Sequence, residues 1–127
     1  MTSTPHGKKS LAELLGSATE HEVAEFLDGL SNNAIAAMPW LFEIWALEHQ
    51  MPPDGDWMTW VIMGGRGAGK TRAGAEWVRR QVEGSKPEGK GKCQRVALIG
   101  ETIDQAREIM VFGDSGIMAC SPPDTMI

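Results

Sequence analysis

An α/β fold, an incomplete parallel sheet with helices packed on it and short helices ahead of it, is what this sequence predicts, and three observations carry the prediction. Residues 57–63, Trp-Met-Thr-Trp-Val-Ile-Met, form an apolar run with β-branched and aromatic side chains, as a strand buried on both faces requires. The stretch Gly64-Gly65-Arg66-Gly67-Ala68-Gly69-Lys70-Thr71 follows directly, and a proline-free segment from Thr71 to Val82 comes next. That segment places Ala73, Trp77, Val78 and Val82 along one broad face, with Glu76 three and four residues before Arg79 and Arg80, which reads as an amphipathic helix. A second strand is then expected at Gln94-Arg95-Val96-Ala97-Leu98-Ile99-Gly100, and a second helix from Ile103 to Phe112 opened by Thr102 or by Asp104. Two strands, each followed by a helix, make a unit with a right-handed crossover.

The glycine stretch matches G-x-x-x-x-G-K-[ST] at every fixed position, a pattern that chance produces in about one chain of this length in a few hundred. It reads as a phosphate cradle for a nucleoside triphosphate, and it makes the expected sheet one of the P-loop NTPase type. Glycines permit positive φ and let backbone N–H groups converge on a polyanion without side-chain obstruction. The helix N-terminus adds the positive end of its dipole. On this reading Gly64, Gly65, Arg66, Gly67, Ala68, Gly69, Lys70 and Thr71 bind ATP, Lys70 reaches the β- and γ-phosphates, and the Thr71 hydroxyl ligates Mg²⁺. Two readings of Arg66 stand side by side: a guanidinium that stabilises γ-phosphate charge in catalysis, and one that faces solvent or a neighbouring acid.

Ahead of the loop the chain reads as helical. Residues 1–9 form a polar tail, and Ser10 caps a helix carrying Leu11, Leu14 and Leu15. Thr19 with Glu22 forms a capping box before Val23, Phe26, Leu27 and Leu30, and Asn32-Asn33 closes that element. A third helix is expected from Pro39 to Glu48, with Trp40, Leu41, Ile44, Trp45 and Leu47 on its core side. Residues 1–39 thus form a tail with short helices, and 40–127 a partial ATPase domain.

Composition bounds the function classes. In 127 residues there is room for one small domain, and 42% hydrophobic with 23% charged residues is ordinary for a globular protein. The longest apolar run, residues 34–42, is interrupted by Pro39 and far too short for a membrane span, and no apolar segment follows Lys8 and Lys9 as in a signal peptide. A cytoplasmic location without membrane association is therefore expected. Cys93 and Cys120 read as reduced structural thiols, and His6, His21 and His49 lack metal-ligand spacing. The net charge is −5 and uneven: residues 1–56 hold two lysines against nine carboxylates, whereas residues 72–95 hold seven basic against three acidic side chains. The Gly-, Pro- and charge-rich residues 83–92 read as a solvated surface connector, with contact to DNA phosphates as the alternative.

Between the third helix and the loop lies His49-Gln50-Met51-Pro52-Pro53-Asp54-Gly55-Asp56. The Gln50 amide carries a donor and an acceptor, the pattern that grips the N6 and N7 edge of adenine, while a hydrated loop Gln is the plain alternative.

Taken together, Trp45, His49-Gln50, Pro52-Pro53, Gly55-Asp56-Trp57 and the run from Gly64 through Thr71-Arg72-Ala73-Gly74-Ala75-Glu76-Trp77 resemble the start of a large terminase subunit, most closely the packaging ATPase of gene transfer agents and related tailed-phage prophages. The resemblance continues through Val96-Ala97-Leu98-Ile99-Gly100-Glu101-Thr102, Gln105-Ala106-Arg107-Glu108 and Ser115-Gly116-Ile117, covering roughly residues 40–123. It implies an ATP-driven motor that threads double-stranded DNA into a phage or phage-like capsid. In such proteins a subunit ring works with a small terminase subunit and a portal. It also implies that Gly64 to Thr71 bind ATP, that Gln50 contacts adenine and that Arg66 senses the γ-phosphate. The Gly100-Glu101-Thr102 segment resembles one linked to DNA or coupling.

The departures from the family pattern are specific. No apolar strand ending in Asp-Glu follows Lys70, Glu101 is the sole strand-end acid, and the carboxylate cluster of the family's nuclease domain does not occur. A truncated product of a longer gene is the expectation, and codons for the missing motifs just downstream would bear it out. Two other readings stand beside the terminase one: a different P-loop ATPase, helicase-like or a kinase, and a non-catalytic remnant whose two strands cannot close a sheet.

Overall fold

The computed structural model describes residues 10–84 and 89–123, so the polar tail, part of the basic connector and the last four residues of the chain lie outside the described residues. The chain divides into two compact units, Met1–Met51 and Pro52–Ile127.

In the N-terminal unit, short helices follow one another because each carries its own start signal. The Ser10 hydroxyl accepts from Glu13 N (3.1 Å) while Glu13 accepts from Ser10 N (2.9 Å), opening α1, Leu11–Ser17. Thr19 and Glu22 repeat this reciprocal cap at α2, Glu20–Asp28. These bonds from Thr19 hold the Glu22 carboxyl below its ordinary range. Asn32-Asn33, expected to end α2, instead open α3, Asn32–Ala37, because Ser31 accepts from Ala34 N and supplies a stronger start than the asparagines supply a stop.

The single helix expected from Pro39 to Glu48 is broken into a 3₁₀ turn Met38–Trp40, a one-turn α4, Phe42–Trp45, and a 3₁₀ turn Glu48–Gln50. Leu41 and Ala46 adopt extended backbone and interrupt the ladder. Helix α4 packs on α1, and Phe42, Ala46 and Ser10 are buried. Much of the apolar stripe expected to be core stays in solvent, including Leu14, Phe26, Leu27 and Trp45. A unit of about fifty residues encloses too little volume to cover it.

The C-terminal unit is organised on the long helix α5, Lys70–Val82. A very short helix α6, Ile103–Gln105, is capped by the Thr102 hydroxyl, which settles the choice between Thr102 and Asp104. It runs into a π-helical stretch, Ala106–Val111, and a last turn α7, Ile117–Cys120, packs on α5. Ala75, Ile117 and Cys120 form the buried centre, with Val78 and Leu98 against it.

The predicted parallel sheet is not formed. The described residues contain no strand, and their sole β-type pairing is an isolated antiparallel bridge between Glu83 and Lys90. Residues 57–63 and 94–100 are irregular, and residues of both segments line, together with α5, an apolar cleft of about 980 Å³. Nor are the two apolar runs buried as expected: no residue of 57–63 or 94–100 is buried, and only Trp57, Trp60, Ile62 and Leu98 are partly covered. Trp57 stacks against Trp77 of α5 (centroids 6.3 Å apart) and donates its indole N–H to Pro53 O, so it gains cover without a strand partner. A two-stranded parallel pair is marginal by itself and supplies too little to override this. The cost is visible in the exposure of these runs: Met58 is fully exposed, and Met63 and Ile99 are each 85% exposed.

The basic connector folds back on the end of α5. Gly84 N donates to Gly89 O, Gly91 N to Val82 O and Cys93 N to Gln81 O. Gly91 is required at this approach, since a Cβ there falls inside the backbone of Gln81 and Val82.

The two cysteines diverge. Cys93 is exposed, whereas Cys120 is wholly inaccessible and burial pushes its thiol up to about 11. At pH 8 only about one Cys120 in a thousand is thiolate, against a far larger fraction for a free thiol. In a disulfide-exchange colour assay on native protein, one thiol per chain should react quickly and the second only as the fold opens; two equal fast thiols contradict this. The sign of the linked stability follows. The raised pKa favours the neutral thiol in the fold, so this contribution is complete below pH 9 and is lost as pH rises from there through about 11.

Candidate functional site

The glycine stretch forms a loop that enters α5 through Gly69, whose backbone is left-handed (φ 73°, ψ 20°) and offers no side-chain cap. The first-turn N–H groups of a helix have no intrahelical acceptor, so an uncapped start presents donors and the positive dipole end outward. Gly67 is also left-handed at φ 83°, a conformation strained for any residue with a Cβ. Gly64 is needed for a different reason: a Cβ there would lie 2.7 Å from the Ala68 methyl.

The loop is closed by its own lysine. Lys70 Nζ donates to the carbonyls of Gly64 (2.8 Å) and Gly65 (2.7 Å), and Ala68 N donates to Gly65 O. The ammonium is thereby parked at the rim of a cleft of about 510 Å³, lined by residues 66–72 together with Glu108, Ile109, Gly113, Asp114 and Ser115. Arg66, Lys70 and Arg72 thus share one cavity with Glu108 and Asp114.

Of the residues proposed from sequence, Gly64 to Thr71 are brought together as one loop. Gln50 belongs to the N-terminal unit, where its Oε1 accepts from Leu47 N at 2.9 Å and closes a 3₁₀ turn. Glu101 is exposed just before the Thr102 cap of α6. The sequence reading missed Glu108, Asp114 and Ser115 as cleft residues. Phe112 N bonds to Arg107 O, a five-residue step, so a wheel drawn at 3.6 residues per turn misplaces Glu108. The turn-forming run Gly113-Asp114-Ser115-Gly116 was the one signal that the chain turns at this point.

Behind the loop lies a charged network that the periodicity of α5 only half disclosed. Glu76, at 1% exposure, takes Arg72 on Oε1 (Nη2 at 2.7 Å, Nε at 2.9 Å) and Arg79 Nη1 near Oε2 (3.1 Å). Arg79 in turn donates from Nε to Glu83 (3.0 Å) and from Nη1 to the Cys120 carbonyl of α7. The sequence pairing of Glu76 with Arg79 is present, but Arg72, four residues ahead, is the closer partner.

The chain belongs to the large terminase subunits. The matching family model is the N-terminal part of the T4-like-virus type, and it covers residues 61–124, the loop, α5, α6 and α7 included. No curated protein and no solved structure matches the chain. Among the described residues no helix is long and apolar enough to cross a membrane, and no three His, Cys, Asp or Glu side chains are grouped to hold a metal ion.

Proposed function

We propose that this chain binds Mg-ATP through Gly64 to Thr71 and serves in a terminase motor that packages double-stranded DNA into a phage or phage-like capsid. The observation that carries the proposal is the loop itself: two left-handed glycines and an uncapped helix start, set beside Lys70 in a cationic cleft, within a segment that matches the terminase family. A polyphosphate fits this cradle on chemical grounds, since backbone donors, the helix dipole and the cationic side chains of Arg66, Lys70 and Arg72 all serve one cleft.

Each residue has a definite task on this reading. Lys70 exchanges two neutral carbonyls for β- and γ-phosphate oxygens, a gain because its ammonium then meets an opposite full charge instead of a carbonyl dipole. Arg66, exposed at the cleft, meets charge on the γ-phosphate during transfer. The Thr71 hydroxyl would be the protein's ligand to Mg²⁺, and the ion would supply positive charge to offset that of the phosphates. Double-stranded DNA, a small terminase subunit, a portal and further copies of this chain in a ring are the partners of such a motor, and the cytoplasm is where it works.

Calorimetric titration of the wild-type chain with Mg-ATP, with phosphate release followed in the same sample, tests the proposal. Saturable binding near one nucleotide per chain is expected. Absence of heat across the millimolar range sinks the nucleotide reading, whatever the family.

A further inference from the structure

We infer that the apolar cleft beside α5 seats the nucleobase, held by stacking on tryptophan while the phosphates of the same nucleoside triphosphate lie in the glycine-loop cleft; the inference rests on the nucleotide reading of that loop. The two cavities are neighbours through shared walls, since Lys70, Thr71 and Ile109 line both. Arg66, Lys70 and Arg72 stand in the first, whereas Trp57, Trp60 and Trp77 stand in the second, whose volume is about 980 Å³. A nucleoside triphosphate has the same division, a polyanion at one end and a flat, uncharged ring at the other. An aromatic-walled cavity adjoining a phosphate cradle is matched to that second half.

Helix α5 supplies the spacing. Lys70, Gly74 and Trp77 follow one another at steps of four and three residues, so one helix face runs from the phosphate end into the apolar cleft, and all three line it. At 1.5 Å of rise per residue, Trp77 stands about 10 Å along the axis from Lys70, which leaves length for a ribose between phosphate and base. Gly74 lies between them, and a Cβ added there meets no atom within 4 Å, so the space over this part of α5 is open. The Trp57 ring centroid is 6.1 Å from that of Trp60 and 6.3 Å from that of Trp77, with ring planes inclined by 55° and 42°. Rings so tilted do not cover one another flat, and all three remain half-buried, so indole surface is left for a ligand ring. Stacking needs no hydrogen-bond reading of the base edge, because every base has a π-face. The residues that line the cleft all belong to the C-terminal unit, so this subsite takes nothing from Gln50.

The experiment uses the full chain and compares Mg-ATP with Mg-tripolyphosphate, the phosphates without the nucleoside, by calorimetry and by tryptophan emission. The wild-type chain is expected to hold ATP about ten- to a hundredfold tighter than tripolyphosphate, and only ATP is expected to quench the emission. Gly74 lines the apolar cleft and not the phosphate cleft, so Gly74→Leu fills the base seat while exchanging a poor helix former for a good one. It should bring the affinity for ATP down to that for tripolyphosphate and leave the latter unchanged, which serves as the control for folding. Trp60→Leu should weaken ATP binding about tenfold on the same terms. Equal wild-type affinity for the two ligands, or ATP affinity indifferent to both substitutions, overturns the base subsite and leaves the phosphate reading of the loop intact. A wild-type chain that binds neither ligand overturns both.

Discussion

Replacing Glu76 by alanine should destabilise the C-terminal unit by about 3–5 kcal/mol, the usual result of removing one partner from a buried ion pair. The figure comes from what is left behind. Arg79 is 10% exposed and pairs with Glu76 at 3.1 Å, so deletion removes a carboxylate from beside a largely buried guanidinium. Arg72, at 32% exposure, recovers hydration and adds little to the loss. Since small domains are stable by only about 5–15 kcal/mol in total, the urea midpoint should fall steeply. A midpoint shift equivalent to less than about 1 kcal/mol, the worth of an exposed pair, would mean that water reaches this network freely.

Lys70→Ala should weaken Mg-ATP binding at least about a hundredfold, since two charge-assisted contacts of about 1.5 kcal/mol each are lost. The substitution also removes the two bonds that close the loop on Gly64 and Gly65. Because the loop is largely exposed, the melting temperature should move by no more than a few degrees, the scale of about 1 kcal/mol. Loss of binding without loss of fold is therefore the expected pattern, read by calorimetry beside a thermal melt. Lys70→Arg should not restore affinity, because a planar fork does not replace a compact ammonium seated between two carbonyls. Undiminished affinity in Lys70→Ala would remove the loop from the nucleotide reading.

How much was legible beforehand depends on how local the cause is. The caps at Ser10 and Thr19 and the start of α6 at Thr102 were open to inspection because a hydroxyl and a backbone N–H three residues on are neighbours whatever the rest of the chain does. Helix α5 was equally plain, within one residue at its start, since thirteen residues free of proline follow a glycine that the left-handed entry requires. The broken helix at residues 38–50 was harder: its apolar spacing is helical, but Leu41 and Ala46 leave the helix so that Phe42 and Ala46 can be buried. Glu108 and Asp114 went unseen because a π-helical stretch shifts the phase of every side chain after it.

The sheet is the instructive failure. Residues 57–63 and 94–100 have a strand's composition, and composition reports only that a segment prefers to be covered. Whether cover comes from a ladder partner or from Trp77 and Val78 of α5 depends on what else packs there, a property of no single segment. The sequence by itself determined the glycine loop, the helix it enters, the capped starts and, through the family match, membership among the large terminase subunits. Only the tertiary structure decided that the two apolar runs form no ladder, that acids from beyond α6 share the cleft with Lys70, and that Arg72 holds a buried Glu76. Backbone capping and glycine conformation are settled within four residues of chain, whereas pairing, cleft walls and buried charge are settled by residues tens of positions apart competing for the same contacts.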